Sequence, residues 1–331
     1  VVFKTNGYGD SLEIAYNFID LPGRNPLYSQ LCAVPGGKLY GLTFGGGPYD
    51  GGVLYEFDVN TSVYTPKVIF NGTSDGKNPY GSLTLASNGK LYGMTQSGGA
   101  NGLGVLFEYD PATNVFTKKI DFVSLSTGRN PYGSLLAASN GLLYGLTSGG
   151  GANNLGVLFE FNPSTGILTK KWDFNGAATG RYPYGTLMQA SNGKLYGMTF
   201  SGGTSNMGVL FEYDISTGIV SKKVDFTGAA NGRGPYGSLA EFSNGLLYGM
   251  TSLGGANSLG VLFEYNPTTA ILTKKIDFDG PLAGRSPYGT LINSCGVLTG
   301  MTSGGGANNK GVIFEYDPAS GILTRKQDFD G

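Results

Sequence analysis

Apolar residues along this chain come in short runs, and the runs repeat. In Val157-Leu158-Phe159-Glu160-Phe161, residues 157, 159 and 161 point to one side of an extended strand, yet Leu158 on the other side is apolar as well. A strand covered on both faces reads this way. Around that run the pattern predicts a unit of four strands. Strand A spans 134–138, strand B 142–147, strand C 157–161 and strand D 167–174. Between A and B, Ser139-Asn140-Gly141 is a tight turn, because Asn-Gly readily takes left-handed backbone conformations. Gly149-Gly150-Gly151 opens the B–C loop, Asn162-Pro163-Ser164-Thr165-Gly166 turns C into D, and a longer loop leads through Gly180-Arg181 to Pro183-Tyr184.

The whole unit recurs. Pro79-Tyr80, Pro131-Tyr132, Pro183-Tyr184, Pro235-Tyr236 and Pro287-Tyr288 stand 52 residues apart, and Pro26 opens an earlier copy. A fixed period of this size means an array, solenoid or propeller. Small antiparallel sheets stacked face to face around an axis supply the two-sided burial, so the expected fold is an all-β propeller of four-stranded blades; a β-solenoid, with its usually shorter coils, is the runner-up. The repeats are placed at 23–75, 76–127, 128–179, 180–231, 232–283 and 284–331 within one domain, 1–331. Residues 1–22 make a half-repeat: Val1-Val2-Phe3-Lys4 aligns with Val105-Leu106-Phe107-Glu108, and Tyr16-Asn17-Phe18 with Ile120-Asp121-Phe122. The half-repeat points to a seven-position ring whose last blade is incomplete, with a six-bladed ring plus an N-terminal hairpin as the alternative.

Composition narrows the chemistry more than the fold. Net charge is −1 and 14% of the 331 residues are charged, so no basic stripe is available for nucleic acid. No run approaches the roughly 20 apolar residues of a transmembrane segment. Histidine is absent, which removes Ser-His-Asp and Cys-His nucleophiles and the usual histidine-rich zinc site; no cofactor and no metal are expected. The two cysteines, Cys32 and Cys295, fall at different places in their repeats, and free buried thiols are favoured slightly over a bridge.

The signature Leu-Tyr-Gly-x-Thr-x-x-Gly-Gly followed by Gly-Val-Leu-Phe-Glu-Tyr-Asp-Pro stands at 91–99 with 104–111. It recurs at 143–151 with 156–163, where Phe161 and Asn162 replace Tyr and Asp. It resembles the GloVer (Gloeobacter–Verrucomicrobia) tandem repeat of bacterial secreted proteins, over nearly the whole chain. That resemblance implies an exported protein, here in processed or partial form, and brings no established activity and no site residues.

In a propeller the D–A and B–C loops emerge at one end of each blade. That face would carry Arg24, Lys77, Arg129, Arg181, Arg233 and Arg285. It would also carry Tyr28, Tyr80, Tyr132, Tyr184, Tyr236 and Tyr288, with Asn101, Asn153, Asn206, Asn257 and Asn308 of the B–C loops. Arg and Asn hydrogen-bond hydroxyls and acids, and an aromatic ring stacks on the apolar face of a sugar. Places where the repeat breaks are the sharper candidates: Phe44 and Phe200, where other copies have Gln or Ser, and Tyr49 and Asp50 in the first copy. For most of the Arg and Tyr positions the structural reading is the stronger one. Asp121, Asp173, Asp225 and Asp277 each stand eight residues before an arginine, which predicts an Asp–Arg brace in each D–A loop. The strand C glutamates, Glu56, Glu108, Glu160, Glu212, Glu264 and Glu315, are expected to pair with strand D lysines, and Trp172 to pack. The function expected is extracellular binding or adhesion at the cell surface, toward a glycan or a cell-surface protein. The alternatives are a polysaccharide lyase or hydrolase, and a structural subunit of a surface assembly.

Overall fold

The computed structural model describes residues 2–5, 12–16, 23–26 and 29–330, so Tyr28 lies outside it. The described residues form no helix: 26 strands make six four-stranded antiparallel sheets and one two-stranded sheet. Each four-stranded sheet takes its strands in order from one repeat. In the third, strand A is Leu136–Ala137, B is Leu143–Thr147, C is Val157–Asn162 and D is Ile167–Asp173. These sheets are the six blades of a β-propeller. The seven-position expectation is therefore corrected. Every blade draws all four strands from its own repeat, leaving none for the half-repeat to complete. Strands Val2–Thr5 and Leu12–Tyr16 instead pair with each other as a separate hairpin, as in the six-bladed alternative.

The chain divides into two compact units, Val1–Asp173 and Phe174–Gly331. The first holds the hairpin and blades one to three, the second blades four to six. Within each unit, the larger core clusters join one face of a blade to the opposite face of the next, while a smaller one, around Val53, Tyr55 and Phe57, lies within blade one. In the first unit, Tyr92, Leu106 and Phe122 of blade two pack on Leu143, Val157, Phe159 and Phe161 of blade three. On blade two's other face, Val105, Phe107 and Tyr109 meet Tyr40, Leu42, Leu54 and Phe70 of blade one. Blades four, five and six of the second unit repeat the arrangement. This is the two-sided burial that the mixed apolar pattern demands.

Two kinds of glycine let these layers close. Gly145 on strand B lies across from Phe159 on strand C, and a Cβ there would overlap the phenyl ring. Gly81 sits at the innermost strand's entrance, where a Cβ would fall 2.6 Å from the backbone of Gly133 in the next blade. Beside it, hydroxyls carry the cohesion onward: the Gln30 amide donates to Ser82 Oγ, and the Ser82 amide to Ser134 Oγ. In the second unit the amides of Thr186 and Ser238 donate to Ser238 and Thr290.

Candidate functional site

Each strand D carries a β-bulge, and the bulge sorts the paired lysines. In blade two the register skips at Lys119, so Lys118 and Asp121 share one face while Lys119 turns to the other. Lys118 Nζ meets Asp121 at 2.8 Å, and Lys119 Nζ meets Glu108 at 3.3 Å. Glu108 also accepts from Tyr92 Oη (2.7 Å) and Lys90 Nζ (2.6 Å), and Asn88 donates to the same tyrosine. Burial would push the Glu108 carboxyl up, but the Lys90, Tyr92 and Lys119 contacts outweigh it and hold it below the usual carboxylate range. Glu56 and Glu212 are held down in the same way. Burial, aided by the adjoining carboxylate, pushes Tyr92 and Tyr196 well above an ordinary phenol. Leu142 and Leu246 replace the first lysine in blades three and five, so Glu160 and Glu264 hold one lysine each and are more exposed. The strand D lysines pair with all six glutamates, from Lys67–Glu56 to Lys326–Glu315.

The Asp–Arg brace is corrected. The strand D aspartate is turned by the bulge onto its own lysine and onto the B–C loop, where Asp121, Asp173 and Asp277 accept the amides of Ala100, Ala152 and Ala256. The arginine eight residues on bridges instead to the B–C loop of the blade it enters, as Arg181 does to Ser201 and Arg233 to Leu253. Its side chain meets the B–C loop residue that stands in a left-handed conformation: Asp50 (φ 49°), Asn154 (φ 58°) and Asn206 (φ 55°). Arg24 forms a bidentate pair with Asp50, at 2.6 and 3.1 Å. Arg129 donates to Asn154 at 3.0 Å, and Arg181 donates to Asn206 at 3.0 Å and to Ser201 at 3.1 Å. The same Asp or Asn oxygen caps the loop, accepting the amides of Gly46, Gly150 and Gly202. The signal was in the sequence as an Asp or Asn about 25 residues after each of these arginines. Among the described residues, no carboxylate lies within ion-pair distance of Arg129, Arg181, Arg233 or Arg285.

The grouping of Asn206 with Asn153 is also corrected: Asn206 holds the left-handed place of Asn154 and Asn309, one residue later. Asn101 and Asn257 donate to the carbonyls of Phe122 and Phe278, which makes them loop ties, while Asn153 is exposed.

Half-buried tyrosines line the same end of the blades. In the first unit Phe44 sits edge-on to Tyr80 at 5.8 Å, and Tyr80 to Tyr132 at 4.9 Å. In the second, Tyr184 stacks on Tyr236 at 4.8 Å and Tyr236 meets Tyr288 at 5.4 Å. Where other copies place Gln96, Ser148, Ser252 or Ser303, hydrogen-bonded to the neighbouring corner, Phe200 contacts the rings of Tyr184 and Tyr236 instead. Phe200 also lines an open groove of about 380 Å³ with Ser205, Asn206, Met207 and Arg233. Tyr49 is 66% exposed beside Asp50.

One residue escaped the sequence reading. Tyr182 has φ 59° at a corner position that Asn25, Asn78, Asn130, Gly234 and Ser286 fill elsewhere, and the Arg181 guanidinium lies 5.3 Å from its ring centroid. A bulky side chain in that conformation costs on the order of 1 kcal/mol. An aromatic residue breaking a run of Asn before Pro was the available signal. A second open groove, about 570 Å³, lies at the A–B turns of blade five around Glu241, Phe242 and Asn244, where the Glu241 carboxylate already accepts the amide and hydroxyl of Ser191. Both cysteines are free thiols, but the expectation that they are buried is corrected: Cys32 is half-buried and Cys295, at the A–B turn, is exposed. Trp172 lies opposite Leu158 on the outer strand.

No helix among the described residues is long and apolar enough to cross a membrane. No curated protein sequence matches the chain. Solved structures match through the fold. The extracellular domain of a candidate hybrid two-component system from B. thetaiotaomicron aligns at TM-score 0.65 and 16% identity, over 92% of this chain and 34% of that one. The chain thus spans about a third of that relative's length. A candidate 6-phosphogluconolactonase from Bacteroides uniformis aligns at 0.64 and 14% identity, covering 98% and 89%. An oligogalacturonate lyase in complex with manganese aligns at 0.59 and 16%, covering 92% and 77%. At the level of sequence, the Gloeobacter/Verrucomicrobia repeat matches residues 1–191 and 171–331, and the chain belongs to that repeat family.

Proposed function

We propose that this protein is an extracellular binding module that recognises carbohydrate through the D–A and B–C loops of its blades. The observation that carries the reading is the surface around Phe200. An aromatic ring unique to this blade and the first replaces a hydrogen-bonding residue, abuts Tyr184 and Tyr236, and lines a groove with Asn206 and Arg233. Open aromatic rings beside amide and guanidinium donors suit a sugar, whose one face is apolar and whose edge is hydroxyl. Tyr80, Tyr132 and Tyr288 repeat the aromatic element on other blades, and weak sites repeated along a polymer gain avidity. The extracellular setting is supported by the fold shared with extracellular domains of bacterial sensors.

The lyase or hydrolase reading finds no support in the glutamates, since each is tied to a strand D lysine and three are held below the ordinary carboxylate range. A glycan array probed with the purified chain tests the proposal. Binding to a defined set of glycans that is lost in Phe200→Ser, with the melting temperature retained, supports it. A folded chain that binds no glycan sinks it.

A further inference from the structure

We infer that the ligand of this loop face is an anionic saccharide polymer, bearing carboxylate or sulfate groups; this rests on the carbohydrate reading above. Equivalent corners differ in charge while keeping one geometry. In blade one the arginine is neutralised: Arg24 pairs with Asp50 in two hydrogen bonds. Blades three and four keep the geometry, with the same left-handed residue, the same cap on a glycine amide and the same reach to the guanidinium, but the acceptor is now Asn154 or Asn206. The corner needs an oxygen there and does not need a charge. Blade five carries Ser258 at that position beside an exposed Arg233.

Nor do other acids supply the missing charge. Asp225 and Asp277 are held by Lys222 and Lys274, and the Asp279 carboxylate accepts the amides of Leu282 and Ala283. A chain of net charge −1 therefore keeps Arg129 in blade three and, in the second unit, Arg181, Arg233 and Arg285 without a carboxylate partner among the described residues, and that unit also carries the Tyr184, Tyr236 and Tyr288 ring contacts. Guanidinium binds carboxylate and sulfate in bidentate geometry. Repetition along the blades favours a polymer with repeated acidic groups over a single anion.

The substitutions Asn154→Asp and Asn206→Asp test this without disturbing the corner, because Asp50 already occupies the equivalent place. The intact chain would be titrated with polygalacturonate, with a sulfated glycosaminoglycan and with neutral dextran of matched size, at low and high salt. We expect binding to at least one acidic polymer that weakens with salt and is on the order of tenfold weaker in the double variant, whose melting temperature is unchanged or raised. The two acidic polymers distinguish carboxylate from sulfate. Dextran bound as well as the acidic polymers, salt-independent affinity, or a double variant that binds like the parent would each overturn the inference while leaving the carbohydrate reading in place. A folded chain that binds none of the three would overturn both.

Discussion

In blade four, two charged groups some thirty residues apart in sequence are treated in opposite ways. Glu212, between strands, is met by Tyr196, Lys194 and Lys223, and its charge is closed inside the blade. Arg181, at the loop end, meets the oxygens of Asn206 and Ser201 and the face of Tyr182, and no carboxylate among the described residues. The strand D lysine of the first arrangement recurs in all six blades, and the glutamates that keep a second lysine are the more buried ones, because a buried carboxylate costs several kcal/mol unless several donors face it. The second changes its acceptor from Asp50 to Asn154 and Asn206 while the arginine stays, and blade five places Ser258 at the left-handed position, because an exposed hydrogen bond contributes little to stability. Invariance among the repeats thus follows burial, and variation follows the surface available to a ligand.

The comparison can be broken by substitution. Gly145→Ala should have the largest effect: the added methyl must displace the ring of Phe159 inside a close-packed blade, costing about 1–3 kcal/mol or more, read as a lowered melting temperature. Glu212→Gln should follow, at about 2 kcal/mol, because two lysines lose their counter-charge. Glu264→Gln should cost less than Glu212→Gln, because Glu264 has Lys275 and Tyr248 but Leu246 where Lys194 stands. Equal losses at the two positions would mean that the extra lysine contributes nothing.

Stability against pH sharpens the same contrast. The carboxyls of Glu56, Glu108 and Glu212 lie lower in the fold than in the unfolded chain, so their contribution is present above the ordinary glutamate value. It is lost as pH falls below about 4.3 and through their folded values. The phenols run the other way. Tyr109 and Tyr265 are pushed up to about 12 by burial and by the neighbouring blade's glutamate. The unfolded chain therefore loses its phenol protons first, and stability falls as pH rises from about 10. Glu212→Gln should flatten the acid limb more than the alkaline one. Asp50→Asn, at an exposed pair, should flatten the acid limb far less than Glu212→Gln and leave the alkaline limb alone, with a melting temperature close to the parent's.

Much of this was legible in the residues. Period, strand order and two-sided burial follow from apolar runs such as 157–161, and the pairing of strand C glutamates with strand D lysines followed from their repetition. The Asp–Arg brace failed because a bulge is not written in spacing: one extra residue at Lys119 turns Asp121 back toward Lys118. The half-repeat was legible as two strands, and the hairpin they form was read only as the alternative to an incomplete seventh blade, because strand spacing does not say which partner a strand takes. The arginine corner links residues about 25 positions apart through a left-handed loop position, which is visible only once the copies are aligned at that loop. The charge contrast between Asp50 and Asn206 gains its meaning from the structure.

A single paired experiment bears most directly on the separation of closed and open charge: melting temperature and acidic-glycan affinity measured on the same preparations of Glu212→Gln and Arg181→Ala. Glu212→Gln should lower the melting temperature by several degrees and leave affinity below the transition unchanged, whereas Arg181→Ala should weaken binding on the order of tenfold at a stability cost under about 1 kcal/mol. The reverse pattern, with Arg181→Ala unfolding the blade and Glu212→Gln impairing binding alone, would contradict it.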